Sequence, residues 1–307
     1  RAAGEAVYAY LQQAGVECEK SYIFTDKELH AEWKFIEMLD EQLAATDAIA
    51  VSVGSGTIND LCKLCSYHQN RPYMCVATAA SVDGYSSFGA SITYKNMKQT
   101  FTCPAPKAIL ADVGVMAKAP KEMTAAGYAD LAAKIPAGAE WIIADFVGSE
   151  PIHEEAWHIS QDNLKASLAD PEGVAALRPE AIAPFVEGLM LSGFAMQAAR
   201  SSRPASCTDH LFSHLWNMRD HKYNGVTPSH GFQVSVGTLM MCAMFDEMYK
   251  TDFTKLDVDA CVANWKSLDV IRAEAEALFA GEAFAELGVT EVTAKYDNHD
   301  EVRRQMQ

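Results

Sequence analysis

The sequence predicts an α/β protein: an N-terminal doubly wound parallel-sheet domain followed by an all-helical domain. Three observations carry that reading. Up to about residue 115, short β-branched runs alternate with helical patterns, the signature of a parallel sheet covered on both faces. Beyond about Ala117 the texture changes to helical patterns rich in Ala, Met, Leu and Trp, with no β-rich stretch between them. Gly54 and Gly56 stand where an apolar run stops and a helical pattern starts, as in a strand-to-helix turn. These observations divide the chain into domains 1–117 and 118–307.

The elements follow in order. The opening stretch RAAGEAVYAYLQQAG enters in mid-helix without an initiator Met, so we expect the native N-terminal strand to be missing. A short strand is expected over Glu19 to Phe24, a helix over Leu29 to Ala45 and a strand over Ala48 to Val53. The glycine turn leads into a helix carrying Cys62 and Cys65, then come strands at Tyr73 to Ala77 and Lys107 to Asp112. Gly54 to Thr57 and Thr78 to Gly84 follow strand ends, so both should line the rim where such sheets take ligands. The second domain should hold helices over Met123 to Ile143, Pro151 to Ala169, Pro179 to Arg200, Asp209 to Asp220, His230 to Lys250 and Val258 to Phe279.

Composition narrows the function. With 307 residues, 49% hydrophobic and 21% charged, the chain is globular in character, and no apolar run reads as a membrane helix. A formal charge of −16 argues against nucleic acid and anionic membranes as partners. An anionic small substrate is compatible with it, because such a ligand feels the local field of its pocket. Eight cysteines in a chain this long, with no secretory signal at its start, do not form a disulfide framework. Cys62 and Cys65 read as small apolar packing residues rather than a redox pair, and a reduced, cytoplasmic protein is expected.

Several residues could carry chemistry. Gly54-Ser55-Gly56-Thr57 is either a plain turn or an anion cradle before a helix N-terminus. His210 and His214 lie four apart in DHLFSH and share a helix face, while His230 opens another helical segment beside Gly231. Two such histidines with a carboxylate would make a three-ligand metal site with open positions. Asp130 is a candidate for the carboxylate, set in a small, apolar helix where an unpaired charge is costly. Asp83, among small hydroxyl-bearing residues, either bonds a substrate hydroxyl or stabilises its own loop as an Asx turn. His153, His158, Glu154, Glu155 and His299 read as structural or surface residues.

The stretches GSGTINDLCK, TAASVDGYSSFGASI, PKAILADVGVMAKAP, AAGYADLAAK, SSRPASCTDHLFSH and HGFQVSVGT, in that order, resemble the motifs of glycerol-1-phosphate dehydrogenases. These belong to the iron-containing alcohol dehydrogenase and dehydroquinate synthase superfamily. The resemblance implies that the first domain binds a dinucleotide. It assigns Gly54, Ser55, Gly56 and Thr57 to the NAD or NADP pyrophosphate, Asp60 to the position after that turn, and Thr78, Ser81 and Ser87 to further cofactor contacts. It places Asp83 by the substrate and nicotinamide, and Asp130, His210 and His230 as ligands of one divalent ion, zinc before nickel or iron. His214 falls near the nicotinamide, where it or a water it holds could carry a proton to solvent.

The reaction implied is the interconversion of sn-glycerol 1-phosphate and dihydroxyacetone phosphate. A glycerol or other polyol dehydrogenase of the same superfamily is the alternative, and a dehydroquinate-synthase-like lyase a more distant one. Ser206-Cys207-Thr208-Asp209-His210 departs from the family's Ser-Gly-x-Glu-His, which alters the wall of the substrate site. Cys207 should border the metal cleft without being a ligand. For the substrate phosphate, Ser202 and Arg203 in SSRP are the candidates, because guanidinium matches phosphate oxygens; Arg203 could equally cap the preceding helix. The partner expected is a small phosphorylated triose or polyol, with no membrane insertion and with homo-oligomerisation left open.

Overall fold

The computed structural model describes residues 3–26, 29–95 and 97–307; Arg1 and Ala2, in the opening helical stretch, lie outside them. In chain order the first elements are α1 (Gly4–Gln13), α2 (Trp33–Ala44), β1 (Ala50–Gly54), α3 (Gly56–His68) and β2 (Tyr73–Ala77). The hairpin β3 (Ala90–Tyr94) and β4 (Met97–Phe101) then precedes β5 (Ala108–Ala111). Strands β1, β2 and β5 form a parallel sheet in that order, with Ala50 beside Tyr73 and Met74 beside Ala108. All three therefore end on one rim, where β1 passes into α3 and β2 into the loop from Thr78.

Helix α3 forms because Leu61, Leu64 and Cys65 repeat at helical spacing and bury against Phe35, Ile36 and Leu39 of α2. Each fully buried leucine contributes roughly 1.5–3 kcal/mol. Cys62 joins a different cluster, with Tyr73, Cys75 and Phe185, so the two cysteines of the CxxC pack into separate parts of the core. The eight cysteines form no disulfide among the described residues.

The helices that follow are α4 (Val113–Met116), α5 (Lys121–Ala132), α6 (Lys134–Phe146), α7 (Glu154–Gln161), α8 (Leu164–Ser167), α9 (Pro171–Ala175) and α10 (Pro179–Ala199). Then come α11 (Thr208–Met218), α12 (His230–Lys250), α13 (Val258–Asn264), α14 (Leu268–Leu278), α15 (Ala285–Ala294) and α16 (His299–Met306). Contacts divide the chain into two compact units, Arg1–Ile142 with Ile152–Met241, and Ile143–Pro151 with Cys242–Gln307.

Several expected elements differ. Residues 19–24 form no strand, and Tyr22 and Ile23 stay exposed without a sheet neighbour. The β3–β4 hairpin was not anticipated; its strands pair as far as Tyr94 and Met97, and Lys95 takes a positive φ of 50°. The helix expected over Met123 to Ile143 breaks at Ala133, because Pro136 has no N–H for the Ala132 carbonyl. Helix α10 does reach membrane-spanning length and apolarity, but Ile182, Phe185 and Leu189 pack it into the protein's own core.

Candidate metal centre and cofactor cleft

Asp130 is positioned by backbone packing. On the same face of α5, one turn earlier, Gly127 rests against the Ala80 carbonyl, and an added Cβ would overlap that oxygen. The close approach brings α5 to the loop after β2, where the Asp83 N–H donates to Asp130 Oδ2 at 3.1 Å. Gly231 plays the same part for His230, letting the start of α12 press on the Ala126 backbone. His210 arrives from the first turn of α11.

The three side chains converge. One ligand atom from each of Asp130, His210 and His230 lies within 4.8 Å of the others. His210 Nε2 is 3.5 Å from Asp130 Oδ1, and the two imidazole centroids are 5.3 Å apart. The remaining ring nitrogens are held by other groups. Asp209 Oδ1 accepts from His210 Nδ1 at 2.8 Å, and Thr238 Oγ1 donates to the other Asp209 oxygen at 3.4 Å. Ser213 Oγ donates to Gln233 Oε1 at 3.1 Å, so toward His230 Nδ1, 3.2 Å away, it acts as acceptor. Both imidazoles are thus held through Nδ1, and His210 turns Nε2, an atom a cation can use, toward Asp130.

Electrostatics agree with a cation-binding role. Burial would raise the Asp130 carboxyl, yet Lys134 and the two histidines hold it well below its ordinary range. Burial pushes His210 down, but hydrogen bonds to Asp130 and Asp209 outweigh it and hold the imidazole above its ordinary value. His230 lies well below its ordinary value, first through burial and then through the nearby charge of Lys98 on β4. An oxygen and two imidazole nitrogens, each oriented by a neighbour, fit a divalent ion.

Two residues of this network, Asp209 and Lys134, were missed from the sequence. Asp209 carried a signal, since it replaces the family's Glu before the first histidine. Lys134 also carried one, four residues after Asp130 on a helical pattern. It is fully buried, and its ammonium lies 2.8 Å from Asp83 Oδ2 and 3.1 Å from Asp130 Oδ1. Ser192 donates to the same Asp83 oxygen at 2.8 Å. Cys207 is buried and its Sγ donates to Asp209 Oδ1 at 3.4 Å, so it borders the cluster through that carboxylate.

At the strand rim, Ser55 is the N-cap of α3, and its hydroxyl caps none of the helix amides. Thr78 donates its N–H to Gly54 O at 3.0 Å, tying the two strand ends together. Beside them opens a cavity of about 510 Å³ lined by Ser55, Thr78, Ala79, Lys118, Pro120 and Met123, among others. Gly56 packs on Val82, and a Cβ there would lie 2.8 Å from Val82 Cγ2.

Other expected cofactor contacts lie elsewhere in the loop network. Asp60 accepts from the Ser91 N–H at 3.4 Å, and burial raises its carboxyl despite Lys63 nearby. Ser87 Oγ donates to Gly84 O at 3.0 Å, while the buried Lys63 ammonium gathers the carbonyls of Gly84, Ser87 and Gly89. Ser81 is buried, and Thr57 is half-buried in the first turn of α3. Of the expected cofactor contacts the cavity lining includes Ser55 and Thr78, but not Gly54, Gly56, Thr57, Asp60, Ser81 or Ser87.

His214 sits one turn beyond His210 on α11 and is exposed. Arg203 does not end α10, whose C-cap is Arg200; it lies 3.2 Å from Glu140 Oε1. The other Glu140 oxygen accepts the Thr208 N–H at 3.3 Å, at the start of α11. Ser202 O accepts from the Ala205 and Ser206 amides.

A glycine turn at a parallel-strand rim is thus followed along the chain by helices that carry an Asp–His–His cluster. Residues 1–120 match the family described as iron-containing alcohol dehydrogenase. It is similar to glycerol-1-phosphate dehydrogenase [NAD(P)+] from Pyrococcus horikoshii, at 38% identity over 192 residues, 62% of this chain and 54% of that protein. The protein of the same name from Bacillus licheniformis is 32% identical over 238 residues, 78% of this chain and 57% of that one. The chain thus spans about half the length of the curated relatives it matches. Its fold is also that of glycerol dehydrogenase from Schizosaccharomyces pombe, with TM-score 0.63 at 18% identity, covering 98% of this chain and 78% of that one.

Proposed function

We propose that this chain is the cofactor- and metal-binding portion of an NAD(P)-linked oxidoreductase that interconverts sn-glycerol 1-phosphate and dihydroxyacetone phosphate. The observation that carries the reading is the Asp130–His210–His230 cluster, with each imidazole held at Nδ1 by a neighbouring side chain. The names of the curated relatives support the substrate and the cofactor.

In this reading residues 1–117 carry the dinucleotide and residues 118–307 the metal and substrate. Gly54, Ser55, Gly56, Thr57, Asp60, Thr78, Ser81 and Ser87 would hold the cofactor. Asp130, His210 and His230 would hold one divalent ion, zinc before nickel or iron. When bound, that ion supplies Lewis acidity to the substrate's reacting oxygen. Asp83, pinned through one oxygen by Lys134 and Ser192, keeps Oδ1 to accept from a substrate hydroxyl. His214, exposed one turn beyond a ligand, would exchange the reaction's proton with solvent. Ser202 and Arg203 would meet the phosphate.

A second reading, a polyol dehydrogenase acting on the free alcohol, is favoured by one observation. Arg203 already faces a carboxylate, Glu140, at 3.2 Å, so a phosphate would have to share or displace that partner. Steady-state oxidation of NADH and NADPH with dihydroxyacetone phosphate, dihydroxyacetone or no substrate separates the two. In the Arg203→Ala variant we expect KM for the phosphorylated ketone to rise about tenfold or more while that for dihydroxyacetone stays put. Equal loss with both ketones, or loss with neither, would leave the polyol reading standing.

A further inference from the structure

Lys134 is fully buried, and its ammonium touches three oxygens: Asp130 O at 2.8 Å, Asp130 Oδ1 at 3.1 Å and Asp83 Oδ2 at 2.8 Å. An ammonium has three protons, so every donor is used. It cannot also bind substrate or act as a base. The Asp130 oxygen it holds is the one that faces His210 Nε2 at 3.5 Å. A cation entering the cluster would therefore share a donor oxygen with a fixed positive charge.

We propose that Lys134 is a positioning residue that sets the cation affinity of the Asp130–His210–His230 cluster, weakening it and leaving the bound ion more electron-poor. This rests on the metal reading above and goes beyond it. Two effects act in the same direction. The ammonium draws electron density from the Asp130 carboxylate, which makes it a poorer donor, and it repels a second cation in a site shielded from water. Asp83 is the counterweight, since it shares the lysine and limits the charge that falls on Asp130. Charge counting shows a consequence for the ligand class. Asp83, Asp130, Asp209 and Lys134 together carry −2, so a divalent ion on neutral imidazoles leaves the centre neutral. Without Lys134 it would carry −1. A centre relieved of that negative charge suits an anionic substrate such as a phosphate ester, in a chain whose formal charge is −16.

The test is zinc affinity, measured by competition with a chromophoric chelator, alongside the thermal midpoint of the zinc-free protein. Lys134→Met should bind zinc at least about tenfold more tightly than wild type. Asp83→Asn should bind it more weakly, because the lysine then leans on Asp130 alone. The double variant Asp83→Asn with Lys134→Met removes the orphaned carboxylate, so it should fold even if Lys134→Met does not, and it should bind zinc more tightly than wild type. A lysine with a purely structural role would lower the thermal midpoint and leave zinc affinity unchanged. That result, or weaker zinc binding by the double variant, overturns the proposal. Wild-type protein that takes up no zinc, nickel or iron overturns the metal reading itself, and this inference with it.

Discussion

The glycine turn after β1 and the Asp–His–His cluster are built on opposite principles. The turn offers backbone amides and an uncommitted Ser55 hydroxyl beside an open cavity, with few side-chain partners. The cluster is buried at Asp130 and His210 and half-buried at His230, and each of its side chains is held by another: His210 by Asp209, His230 by Ser213, Asp130 by Lys134. A dinucleotide's phosphates bring their own charge and shape, so an amide-lined turn suffices for them. A cation must be met by atoms already aimed, so its site needs a supporting layer of hydrogen bonds. The two sites should therefore fail independently and by different amounts.

The largest effect should come from His210→Ala. We expect it to abolish both stoichiometric metal and turnover, while NADH affinity, followed by nicotinamide fluorescence, changes less than about twofold. Loss of both ligands together would mean that the two sites are one unit. The reciprocal variant is Gly56→Ala, whose methyl would meet Val82 at 2.8 Å. It should weaken NADH binding by about tenfold and leave metal content intact.

Asp209→Asn probes the supporting layer. The amide can no longer hold the His210 ring as a charged acceptor, and metal affinity should fall roughly 10–100-fold, read by chelator competition. Unchanged affinity would show that His210 is oriented by packing alone.

A pH series sharpens the contrast further. Because His210 is raised in the metal-free protein, its protonated form contributes stability that is full below about pH 6.5 and lost as pH rises through the elevated value. His230, shifted the other way, acts on stability only below about pH 6.5, so the range above it isolates His210. Metal needs the bare imidazole, so affinity should climb over that range by up to about tenfold per unit. The thermal midpoint of metal-free protein should fall with pH as metal affinity rises; parallel trends would contradict the assignment. The smallest effect is expected for Cys207→Ser, which keeps a donor toward Asp209 and should shift metal affinity by less than about threefold. A complete loss of metal would make Cys207 a ligand after all.

Much of this arrangement is legible in the sequence because its spacings are local. Asp130 stands out as a charge in an apolar helix, and His230 does begin α12. The strand–turn–helix at Gly54 is visible because β-branched residues stop where glycine and threonine begin. The β3–β4 hairpin was harder to see, since its turn uses Lys95 at positive φ rather than a glycine. The false strand at 19–24 has the composition of a strand but no neighbour to pair with, a long-range property that a local pattern does not carry. Lys134 escaped notice because lysine is ordinarily a surface residue, and its burial becomes intelligible only once Asp83 and Asp130 are brought together from distant parts of the chain.

The two glycine contacts have a consequence for the order in which the molecule is made. One joins residues 80 and 127, the other 126 and 231, so both span long stretches of chain. Such distant pairings close late, after local helices and the β1–α3–β2 unit have formed. A nascent chain still lacking α12 has a glycine turn but only one of the cluster's two histidines, and no backbone to seat against Ala126. Competence to hold a cation is thus among the last properties the polypeptide acquires, and metal uptake during refolding should lag behind the recovery of helical signal.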